Sequence, residues 1–216
     1  MAKRVLQDRY FKQAKAEGYA ARSAYKLTEI DDRNKILNRG AKVLDLGCAP
    51  GSWLQVAAQR VGPKGRVAGI DLQPVAHGIA PGVVTRVGDA FRVTPEDLTE
   101  LLGGPADVLL SDMAPGTTGD ARGDHYRSVE LCRRVLELAP DVLRAGGSLA
   151  MKVFEGADYN DLLNETRALF KTAKGLKPKA TRGASVEMFI IGLDFRATSK
   201  TPNPNAQLPT SQDTRP

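Results

Sequence analysis

The chain has 216 residues, 42% of them apolar and 26% charged, and a formal net charge of +6. That composition supports a full-sized globular core and excludes a low-complexity or disordered chain. No apolar run approaches the roughly 18 residues of a membrane-spanning helix, and the two cysteines, Cys48 and Cys132, lack the spacing of a disulfide framework or metal knuckle.

The positive charge is concentrated at one end. Residues 1–42 hold eleven Lys/Arg against five Asp/Glu, and the rest of the chain is balanced. Tyr10, Phe11, Tyr19 and Tyr25 are interleaved with these cations, which fits a nucleic-acid surface better than a plain solvated helix face. A segment of residues 1–40 is therefore expected to face a polyanion while packing on a core domain of residues 41–196. Asp8 and Glu17 argue against an organelle transit peptide, and a reduced, cytoplasmic location is expected for both thiols.

Apolar runs with strand character follow one another. Lys42–Gly47, Arg66–Asp71, Val83–Asp89, Asp107–Asp112 and Gly147–Val153 are five of them, with helical patterns between. Apolar strands alternating with helices predict an α/β fold with a mostly parallel sheet covered on both faces. Helices are expected over Ser52–Arg60, over Tyr126–Leu143 with Pro140 kinking or ending it, and over Asp158–Ala173. Val186–Phe195 reads as a further strand in an antiparallel edge pair, with part of Leu176–Thr181 as its partner. Residues 197–216 contain four prolines and little to bury, which predicts a disordered tail.

Ligands of such sheets bind beyond the carboxyl ends of the strands. The first strand runs into Asp45-Leu-Gly-Cys-Ala-Pro-Gly51-Ser-Trp53, which is glycine-rich yet has neither a dinucleotide fingerprint nor a P-loop lysine. A nucleoside without phosphates suits it better than NAD or ATP, which also disfavours a nicotinamide dehydrogenase. Asp71 and Asp89 end the next two strands, where acids can take ribose hydroxyls and an exocyclic amine; helix N-capping is the structural alternative for both. Two acids and no phosphate site fit the cationic donor S-adenosylmethionine.

Asp112 ends the fourth strand and precedes a polar, glycine-rich stretch to Arg127 that reads as a long loop over the site. Lys152 sits among apolar residues at the end of the fifth strand, where a lysine either does chemistry or snorkels to water. Glu187 opens the last strand, as a functional acid or an edge-strand gatekeeper. Lys26, in the basic segment, completes a set of two ammoniums and two carboxylates. His77 and His125 have no ligand-spaced partners, so no metal is expected and both are placed on the surface or in loops.

The segments Asp45–Trp53, Ser111-Asp-Met-Ala-Pro115, Met151-Lys-Val-Phe154 and Ser185-Val-Glu-Met188 resemble the FtsJ/RlmE family of RNA 2′-O-methyltransferases. Asp8–Lys15 and Gly18–Leu27 resemble that family's N-terminal segment. The resemblance implies a Rossmann-like, seven-stranded methyltransferase fold with the last strand antiparallel. It implies a catalytic tetrad of Lys26, Asp112, Lys152 and Glu187, and donor contacts from Gly51, Trp53, Asp71, Asp89 and Asp112. It further implies RNA as partner, most nearly a uridine of large-subunit ribosomal RNA within a ribosomal particle; a monomer is expected, although the residues leave the oligomeric state open. A tRNA ribose methyltransferase and a non-catalytic RNA-binding assembly factor are the alternatives. In one departure, Asp89-Ala-Phe91 stands where the bacterial pattern has Asp followed directly by Phe. Within this reading Lys152 is the expected general base, with Lys26 and Glu187 orienting it and the ribose; the alternative is a charged Lys152 that orients the hydroxyl and stabilises the developing oxyanion.

Overall fold

A computed structural model describes residues 2–76, 79–181 and 186–196, with side chains from residue 9 onward. Two helices come first, α1 (Ala2–Ala16) and α2 (Ala24–Asn34). They are followed by β1 (Lys42–Leu46), α3 (Ser52–Val61), β2 (Arg66–Asp71), β3 (Val83–Val87), α4 (Pro95–Leu102), β4 (Ala106–Ser111) and α5 (Ala121–Val142). Then come β5 (Leu143–Phe154), α6 (Tyr159–Leu169), β6 (Phe170–Leu176) and β7 (Glu187–Phe195). The seven strands form one sheet in the order β3-β2-β1-β4-β5-β7-β6. Pairing is parallel from β3 to β5, and β7 runs antiparallel to both β5 and β6.

Because side chains alternate along a strand, each apolar strand feeds two cores. On one face Leu44, Leu46, Leu109, Met151 and Val153 pack with Leu98 of α4, Val129 to Val142 of α5 and Leu162 of α6. On the other, Val43, Leu110, Phe189 and Ile191 pack with Ala24, Leu27 and Ile30 of α2 and with Trp53, Leu54, Val56 and Ala57 of α3. Each fully buried Leu or Phe contributes about 1.5–3 kcal/mol, so α2 is bound to the sheet by core burial and not merely tethered to it. The aromatics of the basic segment are divided. Tyr10, Tyr19 and Tyr25 pack on one another, with ring centroids 5.6 and 5.9 Å apart, and Tyr25 donates to Glu17, whereas Phe11 is exposed.

The structure corrects several expectations. α5 starts at Ala121, because Asp120 caps it by accepting from the amides of Arg122 and Gly123, so the loop after Asp112 is shorter than expected. Pro140 neither stops the helix at once nor precludes its last turn. It removes one donor two residues from the end, while Ala139 and Val142 stay buried. The helix expected to Ala173 stops at Leu169. Phe170 and Ala173 are buried three residues apart in an edge strand, a spacing that mimics a helix. That strand pairs with β7, and of the expected partner segment Leu176–Thr181 it includes only Leu176, opposite Phe189. α4 was not anticipated, although Thr94 and Asp97 form a complete capping box behind Pro95. The proposed tail, His77 and Ser185 lie outside the described residues.

Gly192 marks where the antiparallel end is tightest. A Cβ there would stand 2.7–2.9 Å from three atoms of the Phe170 ring, and both residues are pinned by the ladder. Gly192→Ala is expected to destabilise the fold by about 1–3 kcal/mol through overpacking, read as a lower denaturant midpoint with unchanged slope. A midpoint equal to that of the parent would show that β6 can move away.

Candidate active site

The carboxyl ends of four strands set one row of groups. Extending the pairings Asp45↔Gly69, Asp45↔Leu110 and Leu110↔Ala150 by two residues aligns Asp71, Gly47, Asp112 and Lys152, and Phe189 is paired with Lys152. Met151 and Val153 point into the α5 side of the sheet, so Lys152 projects to the α2 side. There its Nζ donates to the backbone carbonyl of Asp112 at 2.6 Å and pairs with Oδ1 of Asp112 at 2.9 Å. The ammonium is nearly buried and does not snorkel, its side chain being 6% exposed.

α2 delivers the second pair from the opposite side. Leu27 and Ile30 seat the helix, and Lys26 then donates to Oε2 of Glu187 at 2.8 Å with its Nζ 5.8 Å from the Phe189 ring centroid. Glu187 lies two residues from Phe189 on β7, hence on the same face, and β7 is an interior strand. A role as edge gatekeeper is therefore removed. Phe189 is thus the common floor of both ion pairs, and the structure brings all four residues to this end of the sheet. Two ion pairs with buried ammoniums and partly buried carboxylates are poor stabilisers, because desolvation cancels much of their attraction. Their presence together is better explained by chemistry.

Of the residues expected to contact the donor, Asp71 and Asp89 line a neighbouring cleft of about 320 Å³ together with Gly47, Leu72, Phe91 and Met113, whereas Gly51, Trp53 and Asp112 are not part of its lining. That volume lies in the range of small-molecule sites. Neither acid is a helix cap. Asp71 accepts from the amides of Ala49 and Gln73 and so shapes the glycine loop, while Asp89 accepts from the amide of Phe91. That turn absorbs the extra residue: Ala90 is buried and Phe91 remains exposed at the rim of the cleft. Gly47 is needed there, since a Cβ would stand 2.5 Å from Cγ of Met113. Gly51 has φ +108° and leads into α3, whose first turn has no side-chain cap, leaving amides for an anionic group. The Trp53 indole is not in the cleft. It is buried, donates to the Ser23 carbonyl and packs on Phe189, so only its backbone can serve a ligand. Apolar rims, two carboxylates and uncapped amides fit the adenosine and amino-acid parts of S-adenosylmethionine.

One group of this site escaped sequence reasoning. Asp45 lies one row beneath Asp71 and Asp112, is wholly buried, and neither carboxyl oxygen has a protein partner. Burial, then Asp112, then Asp71 push its pKa up to about 8. An acid inside the apolar run KVLDL is the same signal that singles out Lys152, and it was hidden by reading Asp45 as the start of a loop.

His125 also differs from expectation. It is buried in α5, with Nδ1 2.8 Å from the Phe154 carbonyl, which can only accept, and Nε2 accepting from the Asp158 amide at 3.1 Å. It thereby fixes the turn between β5 and α6, just beyond Lys152. Both cysteines are buried and free, and burial pushes both thiols up, which makes them inert. Among the described residues no group of three or more His, Cys, Asp or Glu is arranged to hold a metal, and no helix is long and apolar enough to cross a membrane.

Comparison with known proteins agrees with this geometry. A profile of the FtsJ-like methyltransferase family matches residues 19–195. The chain is 47% identical over 195 residues to "Ribosomal RNA large subunit methyltransferase E" of Syntrophobacter fumaroxidans, covering 89% of this chain and 98% of that protein. It is 47% identical over 191 residues to the protein of the same name from Myxococcus xanthus, covering 88% and 90%. A crystal structure of a Plasmodium falciparum ribosomal RNA methyltransferase superposes with a TM-score of 0.74 at 28% identity, covering 82% of this chain and 98% of that one. The Aeropyrum pernix fibrillarin structure, which contains bound S-adenosyl-L-methionine, shares the fold with a TM-score of 0.61 at 20% identity, covering 79% and 76%. With the profile spanning most of the chain, from the N-terminal Tyr19 to the end of β7, the chain belongs to the FtsJ-like methyltransferase family.

Proposed function

We propose that this protein transfers a methyl group from S-adenosylmethionine to a ribose 2′-hydroxyl of RNA, most nearly a uridine of large-subunit ribosomal RNA in an assembling particle. It works as a monomer in the cytoplasm, without a metal. The observation that carries the reading is the Lys152 ammonium, held dry by Asp112 within one residue row of the cleft and over the floor it shares with the Lys26–Glu187 pair.

When bound, the donor supplies a methyl carbon made electrophilic by its sulfonium. The protein's own groups do the rest. The Lys152 Nζ directs one hydrogen to the Asp112 carbonyl and lies 2.9 Å from the Asp112 carboxylate as an ion pair. In the neutral amine the Asp112 carbonyl holds one hydrogen and so orients the group, and the nitrogen lone pair is the base for the ribose hydroxyl. The proton taken from that oxygen then restores the ammonium, for which the Asp112 carboxylate is a ready counter-ion. Lys26 and Glu187 orient the ribose from the α2 side and neutralise each other, so the site gains no net charge from them.

Purified protein incubated with a tritium-labelled donor and ribosomal particles tests the reaction, and mapping of ribose methylation in cells with and without the protein names the nucleotide. One lost position supports the proposal. An unchanged map with no label transferred to RNA would leave only an assembly factor. Binding should also depend on salt, because the chain's surplus positive charge lies in residues 1–42. Four to six neutralised phosphates correspond to a log–log slope of about −3 to −4 on single-stranded RNA. Affinity is therefore expected to fall by well over tenfold between about 50 and 200 mM salt. A flat salt profile in an anisotropy titration would remove the electrostatic role of this segment.

A further inference from the structure

We propose that the groove between α1 and the loop following β2 is a stacking site for an unpaired base of the RNA strand that feeds the methylation site. The proposal rests on RNA being the substrate and adds a second, separate contact to it. The groove has a volume of about 750 Å³, and Phe11, Lys15, Tyr19, Arg22, Pro50 and Ile79 are among the residues that form it.

Three observations point to a base rather than to a folded partner. First, Phe11 is 61% exposed, while Tyr10, Tyr19 and Tyr25 are committed to packing on one another. An aromatic ring left in water at the rim of a groove is a platform for any base, since every base has a π-face. Second, the walls are largely apolar, but one of them, running from Phe11 to Arg22, belongs to the segment that holds the chain's whole surplus of positive charge. An apolar slot within a cationic surface matches the flat base and the charged backbone of a single strand, and does not suit the phosphate-lined face of a duplex. Third, the groove adjoins the glycine loop that follows β1. Pro50 belongs to the glycine loop, and Ile79 packs so closely on that loop that a Cβ on Gly51 would stand 2.0 Å from its Cδ1.

The far wall is rigid by construction. The Gln55 side chain of α3 accepts from the Ala20 amide at 2.8 Å and donates to the Gly18 carbonyl at 2.9 Å, while Tyr19 donates to Gln59. Ser23 and Ser52 share a hydrogen bond of 2.7 Å. Residues 18–23 are thus held on the helix that begins at the glycine loop, so a base seated against Phe11 would be fixed relative to Lys26 three residues further on.

The test compares fluorescein-labelled oligouridine of about ten nucleotides, a length typical of such sites, with an abasic ribose-phosphate chain of the same length. Each is titrated by anisotropy against the parent protein and Phe11→Ala at several salt concentrations. Phe11→Ala is expected to bind oligouridine about tenfold more weakly and the abasic chain unchanged, with parallel salt slopes in both. Equal loss on the two chains, or no loss on either, overturns the stacking site. So does concentration-dependent self-association abolished by Phe11→Ala with RNA affinity unchanged, which would make the groove a contact between copies. A parent protein that methylates RNA while Phe11→Ala binds normally sinks this inference alone. A parent protein that methylates no RNA sinks the functional reading with it.

Discussion

Lys152→Ala is expected to slow single-turnover methyl transfer by about 10²–10⁴-fold, the span of a positioned general base, with donor affinity changed little. The Nζ stands against Asp112 and not in the cleft that fits the donor, so its removal should be felt in the rate and not in the donor titration. A loss of rate alone does not separate a base from a fixed positive charge that steadies a developing oxyanion. Small primary amines make that separation, because alanine leaves room where the lysine side chain lay. Propylamine should restore part of the rate, and the restored rate should rise with pH as its free base forms. Tetramethylammonium, which has the charge and no proton-accepting lone pair, should restore none. Equal rescue by both would assign Lys152 to electrostatics. A rate within about threefold of the parent would take it out of the mechanism. Alanine at Lys26 or Glu187 is expected to cost less, about tenfold, since each acts on the ribose through orientation.

Much of this site can be read from the residues because the relevant side chains break the rule of their surroundings. Lys152 interrupts the apolar, buried run Leu149–Phe154 of its strand, Asp71 ends β2 and Asp112 follows β4, strands whose interior residues are buried. The parallel half of the sheet is legible for the same reason, since strands covered on both faces must be continuously apolar. The antiparallel end is less so. β6 is an edge strand whose buried residues fall at Phe170 and Ala173, and a spacing of three cannot be told from a helix without knowing what lies across the ladder. His125 was misplaced because its helix begins at the Asp120 cap, inside a stretch whose glycines suggest a loop. The division of labour among the N-terminal aromatics depends on how α1 meets α2, which is a tertiary fact. Only the packing of three tyrosines on one another identifies Phe11 as the ring turned to solvent.

Asp45→Asn is expected to make the donor-free protein more stable at and above neutral pH and to leave it nearly unchanged only below about pH 4. The carboxyl is wholly buried, has no partner among protein atoms, and faces Asp112 and Asp71 above it and the Cys48 thiol beside it. Lys152 is the nearest compensating cation in that row, but Asp112 already engages it. The folded state therefore retains a proton on Asp45 up to about pH 8, whereas the unfolded chain releases it near 3.8. Between those values the folded protein binds more protons than the unfolded one, so stability must decline as pH rises, by about 1.4 kcal/mol per unit from this group. Over pH 5–8 the decline amounts to about 4 kcal/mol at most, and it levels off once the carboxylate forms. Asparagine keeps the shape and cannot ionise, so the difference between variant and parent isolates Asp45 from every other titrating group. Denaturant unfolding at unit steps from pH 3 to 9 should show two curves that meet below about pH 4 and separate steadily to about pH 8. Parallel curves would mean that Asp45 is ionised and solvated in the folded protein. The strand would then owe its acid to something other than a buried neutral carboxyl beneath the donor cleft.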